Sequence, residues 1–229
     1  NPHGWGLACY PDKSAHIFKE PVRARASGLA QFLRNYPPLR SRIFIAHVRY
    51  MSCGEPCFAN THPFSRELRG EDIVFAHNGT LCGRLVPVPG PYAPIGGTDS
   101  ERAFCAVLNW ITAEQVDLRN FERLHTKLSE LNEQGSLNVL FSNGVCLYAY
   151  HDARGYKGLH LLRREAPFER VRLNDEDWEG ELRGEKGADE RGYLIASAPL
   201  TDENWRPFEP GSLLVFENGE QIYNSSQLS

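Results

Sequence analysis

Apolar positions along the 229-residue chain come mostly in short runs closed by turn-forming residues, the pattern of strands, with a few stretches at helical spacing. Two runs stand out. Ile43-Phe44-Ile45-Ala46-His47-Val48 stops at Arg49, and Ile73-Val74-Phe75-Ala76 stops at His77-Asn78-Gly79. Each reads as a buried strand that ends in polar residues, where active sites are commonly built.

The remaining pattern fills in around them. Gly4 to Tyr10 and Ala15 to Phe18, separated by Pro11-Asp12-Lys13-Ser14, read as a hairpin. Leu29, Phe32 and Leu33 predict a helix within Ala24 to Tyr36, ended by Pro37-Pro38, and Met51 to Arg69 reads as loop. Gly83 to Gly97 carries four prolines and four glycines and is expected to be a surface loop. Thr98 to Ile111 is a helix with a Thr98-x-x-Glu101 capping-box start, and Leu118 to Glu133 is a second, closed by Gly135. Leu137 to Phe141 and Val145 to Tyr150 flank Asn143-Gly144, a hairpin signal, and Gly158 to Leu162 continues the strands. Leu173 to Arg191 is polar, mainly acidic and without period, so it reads as loop; Tyr193 to Ala198 and Ser212 to Phe216 close the chain, followed by an Asn218-Gly219 turn. This order predicts one α+β domain over residues 1–229, with antiparallel sheets and helices packed outside them.

Composition narrows the function. With 41% hydrophobic and 24% charged residues the chain is that of a globular protein, and a net charge of −4 without any basic run argues against nucleic-acid or anionic-membrane partners. No apolar run has the length of a membrane span, and no signal-peptide pattern opens the chain. Six scattered cysteines point to reduced thiols and a cytoplasmic setting.

Each polar candidate has an ordinary reading beside a chemical one. Asn78-Gly79 is either a hairpin turn or a backbone site whose Gly N–H and Asn side-chain amide bind a developing oxyanion. Arg49 is either a structural strand-end arginine or a fork for a substrate carboxylate. Asp99, at the first helical position, either serves the helix dipole or pairs with a substrate ammonium. Cys53, Cys57 and His62, with Cys82, are too few and too irregular for a convincing zinc site, so neither metal nor cofactor is expected.

Together, Ala46-His47-Val48-Arg49-Tyr50, Asn60-Thr61-His62-Pro63-Phe64, Ala76-His77-Asn78-Gly79 and Gly97-Thr98-Asp99-Ser100-Glu101 resemble the glutaminase domain of class II glutamine amidotransferases, and Gly4-Trp5-Gly6 resembles that family's early Gly-Trp-Gly. The likeness runs from Gly4 to Glu101 and, less specifically, through Leu137 to Gly144 and Ala196 to Trp205, and the size is that of the small stand-alone bacterial branch. It implies the αββα sandwich of N-terminal nucleophile hydrolases and cleavage of the side-chain amide of glutamine or a γ-glutamyl compound, with a partner enzyme or subunit as one destination for the ammonia. By resemblance Asn78 and Gly79 form the oxyanion hole, and Arg49, Ser52, His77 and Asp99 surround the glutamyl group. The family's nucleophile is an N-terminal cysteine, whereas this sequence opens at Asn1; the expectation is that the natural protein carries that cysteine on a preceding strand. The alternative class is a γ-glutamyl-binding or interaction module that has lost the nucleophile.

Overall fold

A computed structural model describes residues 3–50, 54–82, 89–166 and 191–227. The first hairpin forms as expected: β1 (Trp5–Cys9) pairs antiparallel with β2 (His16–Glu20), and β3 (Phe44–Val48) lies along the other side of β1. Between them the predicted helix shrinks to α1 (Gly28–Arg34). Ser27 starts it late by accepting the Ala30 N–H, and residues 24–26 form a separate 3-10 turn.

Two expectations are corrected in the next stretch. Met51 to Arg69 is not all loop: Phe58–Asn60 is a 3-10 turn, and β4 (Phe64–Leu68) pairs with β5 (Glu71–Leu81). β4 is an edge strand that buries Phe64 and Leu68 and carries charge between them, which hides its alternation. The second correction concerns β5, which does not stop at Ala76. β6 (Gly135–Ser142) pairs with it from Val74↔Ser142 to Leu81↔Gly135, so His77, Asn78 and Gly79 lie within a strand and form no turn.

The two predicted helices are α2 (Asp99–Ala113) and α3 (Phe121–Asn132), started by Thr98 accepting the Glu101 N–H and Asn120 accepting the Arg123 N–H. The Asn143-Gly144 turn joins β6 to β7 (Cys146–Tyr150). Then follow β8 (His160–Glu165), β9 (Arg191–Ala196), β10 (Arg206–Pro207), β11 (Leu213–Glu217) and β12 (Glu220–Asn224). Most of the acidic stretch predicted as loop, residues 173–190, lies outside the described residues.

The strands make a six-stranded sheet, β12-β11-β7-β6-β5-β4, and two three-stranded sheets, β2-β1-β3 and β10-β8-β9, antiparallel throughout. The large sheet is buried on both faces because its strands place apolar residues at odd and even positions alike. In β5, Ile73 and Phe75 face the core shared with α2 and α3, where Phe75 stacks on Phe104 at 4.9 Å between centroids. Val74 and Ala76 face the opposite way, packing on Ala8, Tyr10 and Ile45 of the first small sheet and its end. Leu214, Phe216 and Ala149 pack in the same layer against Leu159, Leu161 and Phe208 of the other small sheet. The architecture is the expected α+β sandwich, its second sheet layer split into two pieces. No helix among the described residues is long and apolar enough to cross a membrane, and five cysteines there are free.

Candidate active site

The site is built where β4 ends and β5 continues. β4 covers β5 only from Glu71 to Phe75, so from Ala76 onward β5 keeps β6 on one edge and loses its other partner strand. Thr80 donates its N–H to Ser136 Oγ on the β6 side (2.8 Å), whereas the Leu81 N–H points away from β6 and donates to Asp99 Oδ2 (2.7 Å). Alternate residues of a strand present their N–H groups to the same edge. The Gly79 N–H therefore points to the edge that β4 leaves open, two residues before the amide held by Asp99.

Side-chain alternation completes the arrangement. Asn78 lies opposite Asn138 on the face toward the small sheets, and its side chain makes no hydrogen bond among the described residues. His77 and Gly79 lie on the helix-facing side. His77 Nδ1 sits 2.9 Å from Ser100 Oγ on α2 and Nε2 3.0 Å from the Ser136 carbonyl, with the residue 2% exposed. Both ring nitrogens are thus engaged within the protein, and the ring braces β5 against α2. That brace also explains the glycine. A Cβ on residue 79 would lie 2.1 Å from the Ser136 carbonyl oxygen and 2.6 Å from His77 Nε2, closer than atoms can approach.

Arg49 follows β3 and is 3% exposed. Its Nη2 donates to the Gly54 carbonyl (3.2 Å) and its Nη1 to the Glu55 and His3 carbonyls (3.4 and 3.5 Å), while its own N–H donates to Gly4 (2.8 Å). An arginine guanidinium stays protonated in such a site. Asp99, 6% exposed, sits at the start of α2, where a carboxylate complements the helix dipole, and its Oδ2 accepts the Leu81 N–H. Glu101, the other half of the capping box, turns aside to pair with Arg66 (2.6 Å) and accept the Gly96 N–H (2.6 Å). Ser52, Cys53 and Met51 lie outside the described residues.

Histidines line the back of this region. His47 stacks on His62 at 4.2 Å, and His62 in turn lies 4.5 Å from Phe64. Burial pushes His47 down to about 4, with the neighbouring His77 and Arg49 adding to it and a backbone hydrogen bond at His77 opposing it. Burial also holds His62 well below its ordinary value, reinforced by His47, His77, Arg49 and Lys19, and it lowers His77 against the opposing pull of the Ser136 carbonyl, Asp99 and Asp152. All three rings are therefore neutral at neutral pH. A separate cavity of about 400 Å³, lined by Lys19, Phe58, Arg66, Ile95 and Glu101 among others, includes none of the predicted site residues.

With this geometry in view, comparison with known proteins is decisive. The family model for class-II glutamine amidotransferases matches residues 1–228. The chain belongs to the class-II glutamine amidotransferases. An uncharacterized protein of Methanocaldococcus jannaschii is 43% identical over the whole of this chain, which spans 65% of that relative's length. YafJ of Escherichia coli, provisionally named a glutamine amidotransferase, is 34% identical over 96% of this chain and 88% of its own. The crystal structure of a predicted glutamine amidotransferase from Pseudomonas aeruginosa superposes with a TM-score of 0.78 at 32% identity, covering 96% of this chain and 87% of that one. The glutamine phosphoribosylpyrophosphate amidotransferase of Bacillus subtilis shares the fold at 15% identity (TM-score 0.63), covering 98% of this chain and 43% of that one.

Sequence reasoning missed Asn60, Ser100 and Ser136. Asn60 and Ser100 stood in recognised segments without a role, and Ser136 carries no local signal because its partners are distant in sequence.

Proposed function

We propose that this class-II family member hydrolyses the side-chain amide of glutamine or of a γ-glutamyl compound. In this reading Arg49 binds the substrate α-carboxylate, Asp99 the α-ammonium, and Ser52 contributes a hydroxyl to the same head group. The Asn78 side-chain amide and the Gly79 N–H receive the oxyanion. The nucleophile is the thiolate of a cysteine at the mature N-terminus of the natural protein, with its own α-amine as base. The α-amine takes the thiol proton, sulfur attacks the amide carbon, the carbonyl electrons move onto oxygen, and collapse expels ammonia from glutamine, or the corresponding amine from a γ-glutamyl compound, after the α-amine passes its proton to the leaving nitrogen. Water then cleaves the thioester to glutamate and regenerates the thiol. The ammonia is available to a partner enzyme or subunit.

The observation that carries this reading is the open edge of β5, where a glycine N–H faces outward beside an amide already claimed by Asp99. A pocket that only bound the ligand would need no donors aimed at a tetrahedral oxyanion. Burial raises the thiols of Cys9, Cys105 and Cys146, which keeps them protonated and disfavours them as internal nucleophiles. The test is a glutaminase assay on the natural protein with intact-mass mapping after treatment with an electrophilic glutamine analogue. Labelling of an N-terminal cysteine with loss of activity is expected. Labelling of Cys57 or Cys82 instead overturns the assignment.

A further inference from the structure

Asn60 is 5% exposed and lies between the two halves of the head-group site without belonging to either. Its Nδ2 donates to the Glu55 carbonyl (2.9 Å), the same carbonyl that accepts from Arg49 Nη1. Its Oδ1 accepts the Gly97 N–H (2.8 Å), one residue before the Thr98 cap and two before Asp99. One amide thus ties the turn that holds the guanidinium to the turn that launches the carboxylate.

The surroundings leave that amide little play. A Cβ on Gly96 would lie 2.3 Å from Asn60 Oδ1, and one on Gly54 would lie 3.0 Å from Nδ2 and 3.4 Å from Thr98 Cγ2, so both turns close directly on it. The Asn60 N–H is itself held by the Cys57 carbonyl (3.2 Å). A buried amide satisfied at both ends in this way fixes the two backbones relative to one another.

We propose that Asn60 is a positioning residue that sets the separation of Arg49 from Asp99, and so makes the site selective for a ligand carrying both an α-carboxylate and an α-ammonium. The inference rests on the head-group roles proposed above for those two residues. A ligand with only one of the charged groups engages one end of the site and does not sense the spacing. A ligand with both gains its second contact only when the spacing is right.

The test is calorimetric binding of L-glutamate, glutarate and 4-aminobutyrate to the full-length natural protein and its variants, with circular dichroism to verify folding. The wild-type protein is expected to prefer L-glutamate over both one-ended ligands. Asn60→Ala should weaken L-glutamate about tenfold or more while moving glutarate and 4-aminobutyrate less than about threefold, the scale set by a lost buried hydrogen bond. Asn60→Asp, which keeps the acceptor for Gly97 and loses the donor to Glu55, should fall between. Gly96→Ala crowds both Oδ1 and the Ala59 carbonyl without removing a hydrogen-bonding group and should reproduce the selective loss; Asn60→Asp carries the test if Asn60→Ala does not fold. Equal weakening of all three ligands, or an unchanged preference, overturns the proposal. A wild-type protein that shows no preference overturns the head-group roles of Arg49 and Asp99, and this proposal with them.

Discussion

The two halves of the candidate site are made by different means. On β5 the proposed oxyanion donors come from strand alternation: β6 pins one edge, the end of β4 frees the other, and the His77 ring closes the helix side over Gly79. Around Arg49 the β1–β3 ladder runs out after the backbone bonds to Gly4 and His3, and the link from there to Asp99 is carried by side-chain hydrogen bonds between turns. A ladder shares its load over many backbone bonds, whereas a turn held by one amide yields when that amide goes. On the proposed roles, oxyanion geometry goes with the fold's stability and head-group geometry with a few buried polar contacts.

The largest effect should come from Gly79→Ala, which drives a methyl into the Ser136 carbonyl of the paired strand. Backbone must move, so a destabilisation on the order of 1–3 kcal/mol is expected together with loss of most amidase activity. Chemical denaturation and a glutaminase assay measure both. A variant of unchanged stability and turnover would remove the special status of this position.

Next, Asn78→Ala and Arg49→Ala separate the halves. Asn78→Ala should lower kcat by about 10²–10³, as loss of one oxyanion donor does, with little change in KM. Arg49→Ala should act mainly by raising KM. The reverse pattern in steady-state kinetics would exchange the roles of the two regions.

Acid should act on the histidine cluster behind both halves. His47 and His62 are neutral in the fold with lowered pKa values, so below about 6.5 the unfolded chain takes up protons that the folded one refuses. Stability is therefore expected to rise with pH between about 4 and 6.5, because the unfolded state binds more protons across that window. Denaturation midpoints at stepped pH check this, and His62→Phe should flatten the slope. A midpoint independent of pH in that range would mean that the rings are protonated in the fold.

The smallest effect should follow Ser100→Ala, which removes the α2 partner of His77 and leaves the Ser136 contact in place. A cost of about 1 kcal/mol and a few-fold drop in kcat are expected. If KM moves and kcat does not, the brace serves the head-group half instead.

Much of this protein was determined locally. The first hairpin, the Asn143-Gly144 turn, the caps at Thr98 and Asn120 and the apolar faces of α2 and α3 follow from turn chemistry and periodicity, which operate within a few residues. The motifs that mark the class-II family were legible for the same reason, and so were Arg49, Asn78, Gly79 and Asp99 as candidates. What the chain alone left open depended on a partner distant in sequence. The charges between Phe64 and Leu68 hid β4 until pairing with β5 gave the strand an edge to occupy. Asn78-Gly79 could be a turn until β6 arrived from residues 135–142 to extend the strand through it. The contacts of His77 were invisible until α2 supplied Ser100 and β6 supplied the Ser136 carbonyl. Asn60 had no visible task until its two ends met carbonyl and N–H groups 5 and 37 residues away. Local pattern sets which backbone conformation each segment prefers; only packing decides which edge stays open, and the open edge of β5 is where the proposed chemistry lies.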